Sequence, residues 1–255
     1  MRIGLTTGPL PHHKFFIQRF YDEFKDQLIF SITQKNNNKN QKRKTTSLAK
    51  KAVQHLSGWN ATQSYILSKI YKRKSRQLLS KINFPDELNH IVDDINSDRA
   101  EKIVKDCNVD ILVVFGGKII KSNILRLPKR ESYTIHLGWC PDYKGSHGLH
   151  WAIYDENIDK IGFSILTLSE NVDSGEIVQR NKINLSHVKD EYDLTFYAQM
   201  LAIEEMIKIV KIIIETKELP ETMVQEDAGK VYFSKEFTAK VKGQVRENMM
   251  KYKLL

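Results

Sequence analysis

"VDILVVFGGKII", residues 109–120, decides how the rest of this chain is read. From Val109 to Phe115 only Asp110 is polar and nothing alternates, the pattern of a strand covered on both faces. Gly116 and Gly117 then end the run. Just upstream, residues 96–108 begin like a capped helix, with Ser97 as the cap and Asp98 in the first turn. A helix feeding a doubly covered strand is the repeating unit of an α/β sheet.

Working outward, that alternation recurs. "RIGLTT" (residues 2–7) reads as a buried strand closed by Gly8 and Pro9. Phe16, Phe20 and Phe24 then fall at i, i+4 and i+8 of an amphipathic helix. "QLIFSIT" is the next strand, "SYTIHL" another, and "GSHGLHWAIYD" opens a helix after Gly145. "IGFSILTLS" alternates, "ENVDSG" turns and "EIVQRNKINL" runs back, so the sheet is expected to be mixed. Residues 190–217 read as one long helix, and "GKVYFSKEF" as a closing strand or hairpin. The expected fold is α/β and Rossmann-like, with a mixed, mostly parallel sheet in residues 1–189. Residues 190–255 form a helix and a short strand or hairpin extension. Ligands in such sheets sit beyond the carboxyl ends of the strands. His136 ends one strand and Asp173 follows another.

Composition narrows the setting. No apolar run reaches the roughly 18 residues that span a bilayer. The short apolar N-terminus runs into His12, His13 and Lys14, which suits a buried strand and not a signal peptide. Cys107 and Cys140 are too few for a disulfide framework, and a reducing cytoplasm is expected. The net charge of +9 is local. Between Lys35 and Ile82 lie thirteen of the 40 Lys and Arg and no acid, leaving 27 basic against 31 acidic residues elsewhere. That segment opens with the polar "QKNNNKNQKRKTT", a loop, and residues 48–82 read as helical, with Asn60 and Gln63 spaced as a capping box. The result is a basic, largely helical insertion at residues 35–90. It is a solvated face, a lid or subunit contact, or a grip on RNA phosphates.

Three pieces in order, "VDILVVFGGKII", "TIHLGWCPDYKG" and "GFSILTLSENVDSGEIVQ", resemble the folate-dependent formyltransferase family over residues 96–179. That family includes glycinamide ribonucleotide transformylase, methionyl-tRNA formyltransferase and the sugar-nucleotide N-formyltransferases. The resemblance implies 10-formyltetrahydrofolate as donor and no metal. It also implies a catalytic pair at His136 and Asp173. The family's asparagine falls on Thr134, a departure. Phe115, Gly116, Gly117, Lys118 and Ile119 fall on the loop that holds the folate ring, and Glu170, Asn171 and Val172 on the opposite wall. Trp139, Tyr143, Lys144 and Gly145 fall in the turn beside the substrate. Trp139 either covers the site or packs, and Lys144, at the family's arginine, either touches substrate or is a surface cation.

Formyl transfer to an amine passes through a tetrahedral intermediate with negative charge on the former carbonyl oxygen. Something must donate to that oxygen, something must take the amine's proton, and something must hold both in place. A histidine suits the proton work, and a neighbouring carboxylate orients it and raises its basicity. The Thr134 side chain is shorter than asparagine, and losing one such donor elsewhere costs about 2.7–4 kcal/mol. A water or shifted backbone completes the hole, another side chain does, or the enzyme is slow or inactive. His147 and His150 lack partners at metal-ligand spacing. In "TTGPLPHH", Thr7 and His13 sit at a strand-to-helix turn that favours anions and are candidates for a substrate phosphate.

The acceptor expected is an amine on a nucleotide-linked amino sugar, in glycan assembly. Elimination carries that choice: the purine enzyme's glycine-rich phosphate loop and the tRNA enzyme's extra barrel domain are not seen. The alternatives are methionyl-tRNA, glycinamide ribonucleotide, an amino acid or a peptide, or a weakened relative that binds nucleic acid or another ligand. A homodimer and no membrane partner complete the expectation.

Overall fold

The structure, a computed structural model, describes residues 1–35, 83–226 and 229–252. The loop and helix expected in residues 36–82, with Asn60 and Gln63, lie outside the described residues. In chain order the strands are β1 (Ile3–Thr7), β2 (Leu28–Gln34), β3 (Asn89–Val92), β4 (Ile111–Phe115), β5 (Glu131–His136), β6 (Tyr143–Gly145), β7 (Gly162–Thr167), β8 (Ile177–Lys182) and β9 (Lys230–Tyr232). The helices are α1 (Pro11–Phe24), α2 (Asp98–Asp106), α3 (Ser122–Leu125), α4 (Gly148–Tyr154), α5 (Glu191–Thr216) and α6 (Ala239–Lys251).

Seven strands make one sheet in the order β3-β2-β1-β4-β5-β7-β8. The first five in that order are parallel, and β7 runs antiparallel to both its neighbours. The mixed, mostly parallel, Rossmann-like sheet is therefore present. β4 lies at its centre, and its unbroken apolar run has a plain cause. Ile111, Val113 and Phe115 enter a core shared with Phe16, Phe20 and Phe24 of α1. Leu112 and Val114 enter a second core with Phe30, Ile32 and, from α2, Ala100 and Val104. Each such side chain contributes about 1.5–3 kcal/mol on burial, so both faces must be apolar.

The helices follow their signals. Ser97 caps α2, its side chain accepting from the Ala100 amide. Asp190 caps α5 by accepting from the amides of Tyr192 and Asp193, each at 2.8 Å. Leu194, Ala198, Ala202, Met206 and Val210 of α5 step along one buried face. Arg19 of α1 and Glu204 of α5 form a bidentate pair at 2.7 and 2.9 Å, tying the two helices together. None of the described helices is long and apolar enough to cross a membrane.

Four features depart from expectation. β3 carries no strand signal, because it is a four-residue edge strand with Ile91 exposed. β7 is buried along nearly its whole length and does not alternate, since it lies inside the sheet between β5 and β8. The closing segment takes the strand of the two forms expected, but with an unforeseen partner: β9 pairs in parallel with the distant β6 as a separate two-stranded sheet. Finally, α6, capped by Thr238, follows it. Its sequence is mostly polar, so only a narrow face (Val245, Asn248, Met249) is buried.

Candidate active site

β5 delivers two side chains to one face of the sheet. Residues two apart on a strand point the same way, so Thr134 and His136 face together. Register sets Thr134 beside Val114 on one side and Leu166 on the other, with His136 beside Ser164. Because β7 is antiparallel to β5, its carboxyl end at Thr167 lies beside Tyr133 and not beside His136. Residues 168–175 instead make an excursion that leaves and rejoins the sheet at Thr167. Its return requires Gly175, where a Cβ would fall 1.8 Å from the Thr167 carbonyl oxygen.

That excursion carries Asp173 to His136. Asp173 Oδ2 lies 3.1 Å from His136 Nδ1 and accepts from the Gly145 amide at 2.7 Å. Asp173 takes φ 46°, a left-handed conformation that costs a residue with a side chain about 1–3 kcal/mol. The other ring nitrogen, Nε2, is 2.7 Å from the Tyr143 carbonyl oxygen. A carbonyl and an ionised carboxylate only accept. Because the Tyr143 carbonyl can only accept, the ring donates to it from Nε2, which leaves Nδ1 facing the Asp173 carboxyl group.

The pair opens into a cleft of about 430 Å³. One side is the loop of residues 116–120 below Val114, and the other is Thr167, Leu168, Ser169 and residues 171–175. Thr134, Ile135, His136, Gly145 and Ser146 complete the lining. The first loop is braced from below. The Asn96 side chain donates to the Ile119 carbonyl at 2.9 Å and accepts from the Lys121 amide at 2.8 Å, and Lys118 pairs with Asp94.

Of the residues singled out from sequence, the cleft gathers Thr134, His136, Asp173, Gly116, Gly117, Lys118, Ile119, Asn171, Val172 and Gly145. Five others stand apart from its lining. Phe115 is in the core, its ring against His13 and Phe16 and its carbonyl accepting from Thr7 Oγ1 at 2.6 Å. Glu170 is exposed at the surface. Trp139 lies beneath the Arg180 guanidinium, 5.0 Å from the ring centroid. The Tyr143 ring stacks on Tyr232, and burial pushes its hydroxyl up to about 12. Lys144 is not a surface cation: it is buried, with Nζ donating to Ser174 Oγ at 3.3 Å.

The turn after β1 does not offer its side chains to a phosphate. Thr7 and His13 are both buried; His13 Nδ1 accepts from the Leu10 amide, and desolvation lowers its pKa to about 3. The His147 ring stacks on Phe237, 5.9 Å from the His150 ring, and the described residues contain no group of three or more metal-binding side chains. Cys140 sits behind the site, where burial first and Asp173 second push its thiol up to about 12, so it stays protonated. Sequence reasoning passed over Val114, Ile120, Ile135, Ser146, Thr167, Leu168, Ser169, Ser174 and Gly175. All but Ser146 lie inside the three quoted pieces, and Ser146 directly follows the second.

Residues 25–213 match the family described as "Formyl transferase". A methionyl-tRNA formyltransferase of Prochlorococcus marinus is 24% identical over 136 residues, 51% of this chain and 40% of that protein. The chain thus matches about two fifths of that relative's length. A sugar N-formyltransferase from Shewanella sp. FDAARGOS_354 superposes with TM-score 0.61 at 12% identity, covering 98% of this chain and 88% of the other. An N-formyltransferase from Helicobacter canadensis, in complex with folinic acid and dTDP-3-aminofucose, gives TM-score 0.55 at 13% identity, covering 99% and 82%. At those identities the likeness to solved structures is one of fold.

Proposed function

The chain belongs to the formyl transferase family, and from that premise we propose that its cleft moves a formyl group from 10-formyltetrahydrofolate to the amine of a nucleotide-linked amino sugar. The observation that carries this reading is the His136–Asp173 contact at 3.1 Å, opening into a cleft beside Thr134. The cleft suits the donor. Val114, Ile120, Leu168 and Val172 offer apolar surface for a flat ring, and the braced loop at Gly116 and Gly117 leaves peptide groups close to it. The donor supplies an activated formyl carbon. His136 and the Thr134 hydroxyl, on the same strand face, both line the cleft and are the candidate donors to the charge developing on the formyl oxygen. Taking a proton from the amine fits a histidine steadied by a carboxylate.

The amino-sugar acceptor is supported by the Helicobacter canadensis neighbour, whose complex contains such a ligand and whose likeness extends over 99% of this chain. A second reading, methionyl-tRNA as acceptor, is favoured by the sequence relatives, which match about half of the chain. Incubation with 10-formyltetrahydrofolate and a panel of dTDP- and UDP-amino sugars, with methionyl-tRNA alongside, separates the two when tetrahydrofolate release is followed. Turnover with an amino sugar is expected. Turnover with methionyl-tRNA alone would replace the first reading with the second, and none with any amine would end both.

A further inference from the structure

Gln225 lies 52 residues beyond Asp173, in the segment after α5, yet it reaches the same turn. Its amide nitrogen donates to the Asp173 carbonyl at 3.0 Å and to the Gly175 carbonyl at 2.6 Å. Both partners only accept, so only the NH₂ end of the side chain can face them. Gln225 Oε1 is buried with no hydrogen-bond partner among the described residues. The two donated bonds alone therefore set the amide's direction. The segment arrives by a fixed route, since Met223 exchanges two backbone bonds of 2.8 Å with Ile177 at the start of β8.

The two carbonyls flank Ser174, and the first belongs to the residue held at φ 46°. Tying both to one planar amide fixes the turn that aims the Asp173 carboxylate at His136 and the Gly145 amide. We propose that Gln225 is a positioning residue of the reaction: by bridging the carbonyls of residues 173 and 175 it keeps the carboxylate in line with the histidine. This rests on the reading of His136 and Asp173 as the working pair. Its signature is a loss in kcat with the KM for the donor spared.

The test compares wild type, Gln225→Leu, Asp173→Asn and the double variant for kcat, KM and melting temperature. Amide hydrogen exchange at Gly145 and Glu176, which donate to Asp173 Oδ2 and Thr167 Oγ1 and need no acceptor substrate, is read in parallel. Gln225→Leu is expected to lower kcat about 10- to 100-fold, the cost of a misplacement of roughly 1 Å, and to speed exchange at both amides. The double variant should be no slower than Asp173→Asn, because Gln225 acts through that carboxylate. Wild-type kcat in Gln225→Leu beside an inactive Asp173→Asn would overturn the proposal. So would an equal extra loss in the double variant, which marks a general structural role. If Asp173→Asn turns over normally, the reading of the pair fails by itself, and exchange decides whether Gln225 still pins the turn: unchanged exchange overturns that too. Gln225→Met, which keeps the length and removes both donors, takes the place of Gln225→Leu if the latter does not fold.

Discussion

At the scale of single residues, His136 carries the heaviest claim. His136→Asn removes the imidazole while keeping a hydrogen-bonding side chain of similar reach. Turnover is expected to fall at least 10²-fold, the usual worth of a positioned proton carrier, while donor binding measured by calorimetry stays near wild type. An active variant would take His136 out of its role. Thr134→Asn restores the family residue at a position that lines the cleft. Its longer amide should maintain or raise the rate, and a large loss would assign the threonine a job of its own. The sequence placed His136 at a strand end and Asp173 just past another strand, and it was the resemblance to the formyltransferase family that joined them as a pair. The sorting of neighbours was not legible. Phe115 is adjacent to Gly116 yet faces the core, since strand parity sends its ring to α1. Trp139, Tyr143 and Lys144 share a turn with Gly145, but only Gly145 lines the cleft. Which side of a turn faces inward depends on what packs behind it.

At the scale of elements, β6 is the piece whose importance exceeds its three residues. Its first carbonyl meets His136 and its last amide meets Asp173, so the strand holds both members of the pair. Its β partner is β9, and Ser146 also donates to the Tyr232 carbonyl at 2.8 Å. At Gly145, with φ 82°, a Cβ would lie 2.3 Å from that same carbonyl oxygen. Gly145→Ala is therefore expected to push β6 and β9 apart. It should cost about 1–3 kcal/mol of stability in urea titration, and the rate should drop as the Asp173 contact loosens. A variant with wild-type stability and rate would show that the two strands do not depend on this close approach. Of the strand or hairpin expected near the C-terminus, the strand is present, but its partner was not legible. A three-residue strand carries too little periodicity to name its partner, and this partner lies far away in the chain.

At the scale of the whole molecule, three desolvated imidazoles, one buried and two partly buried, link the fold to pH. Desolvation lowers His12 and His150 to about 4 and His13 to about 3, against 6.5 in an unfolded chain. Below pH 6.5 the unfolded chain binds protons that the fold refuses. Stability is thus full above that pH and is lost progressively as pH falls toward 4. Urea midpoints should decline from pH 7 to pH 5, and His13→Gln should flatten that slope; a level profile in the wild type would refute the assignment. The amino-acid sequence by itself determined the α/β class, the central strand, the long capped helix, and the histidine and aspartate as a candidate pair. The first three are written in local periodicity and capping chemistry; the pair came from the ordered motifs that resemble the family. Only the tertiary structure decided that β7 runs antiparallel to β5, that β6 and β9 meet, and that Gln225 bridges the carbonyls of Asp173 and Gly175. Those are contacts between segments far apart in the chain, and their energies depend on geometry that no local pattern encodes.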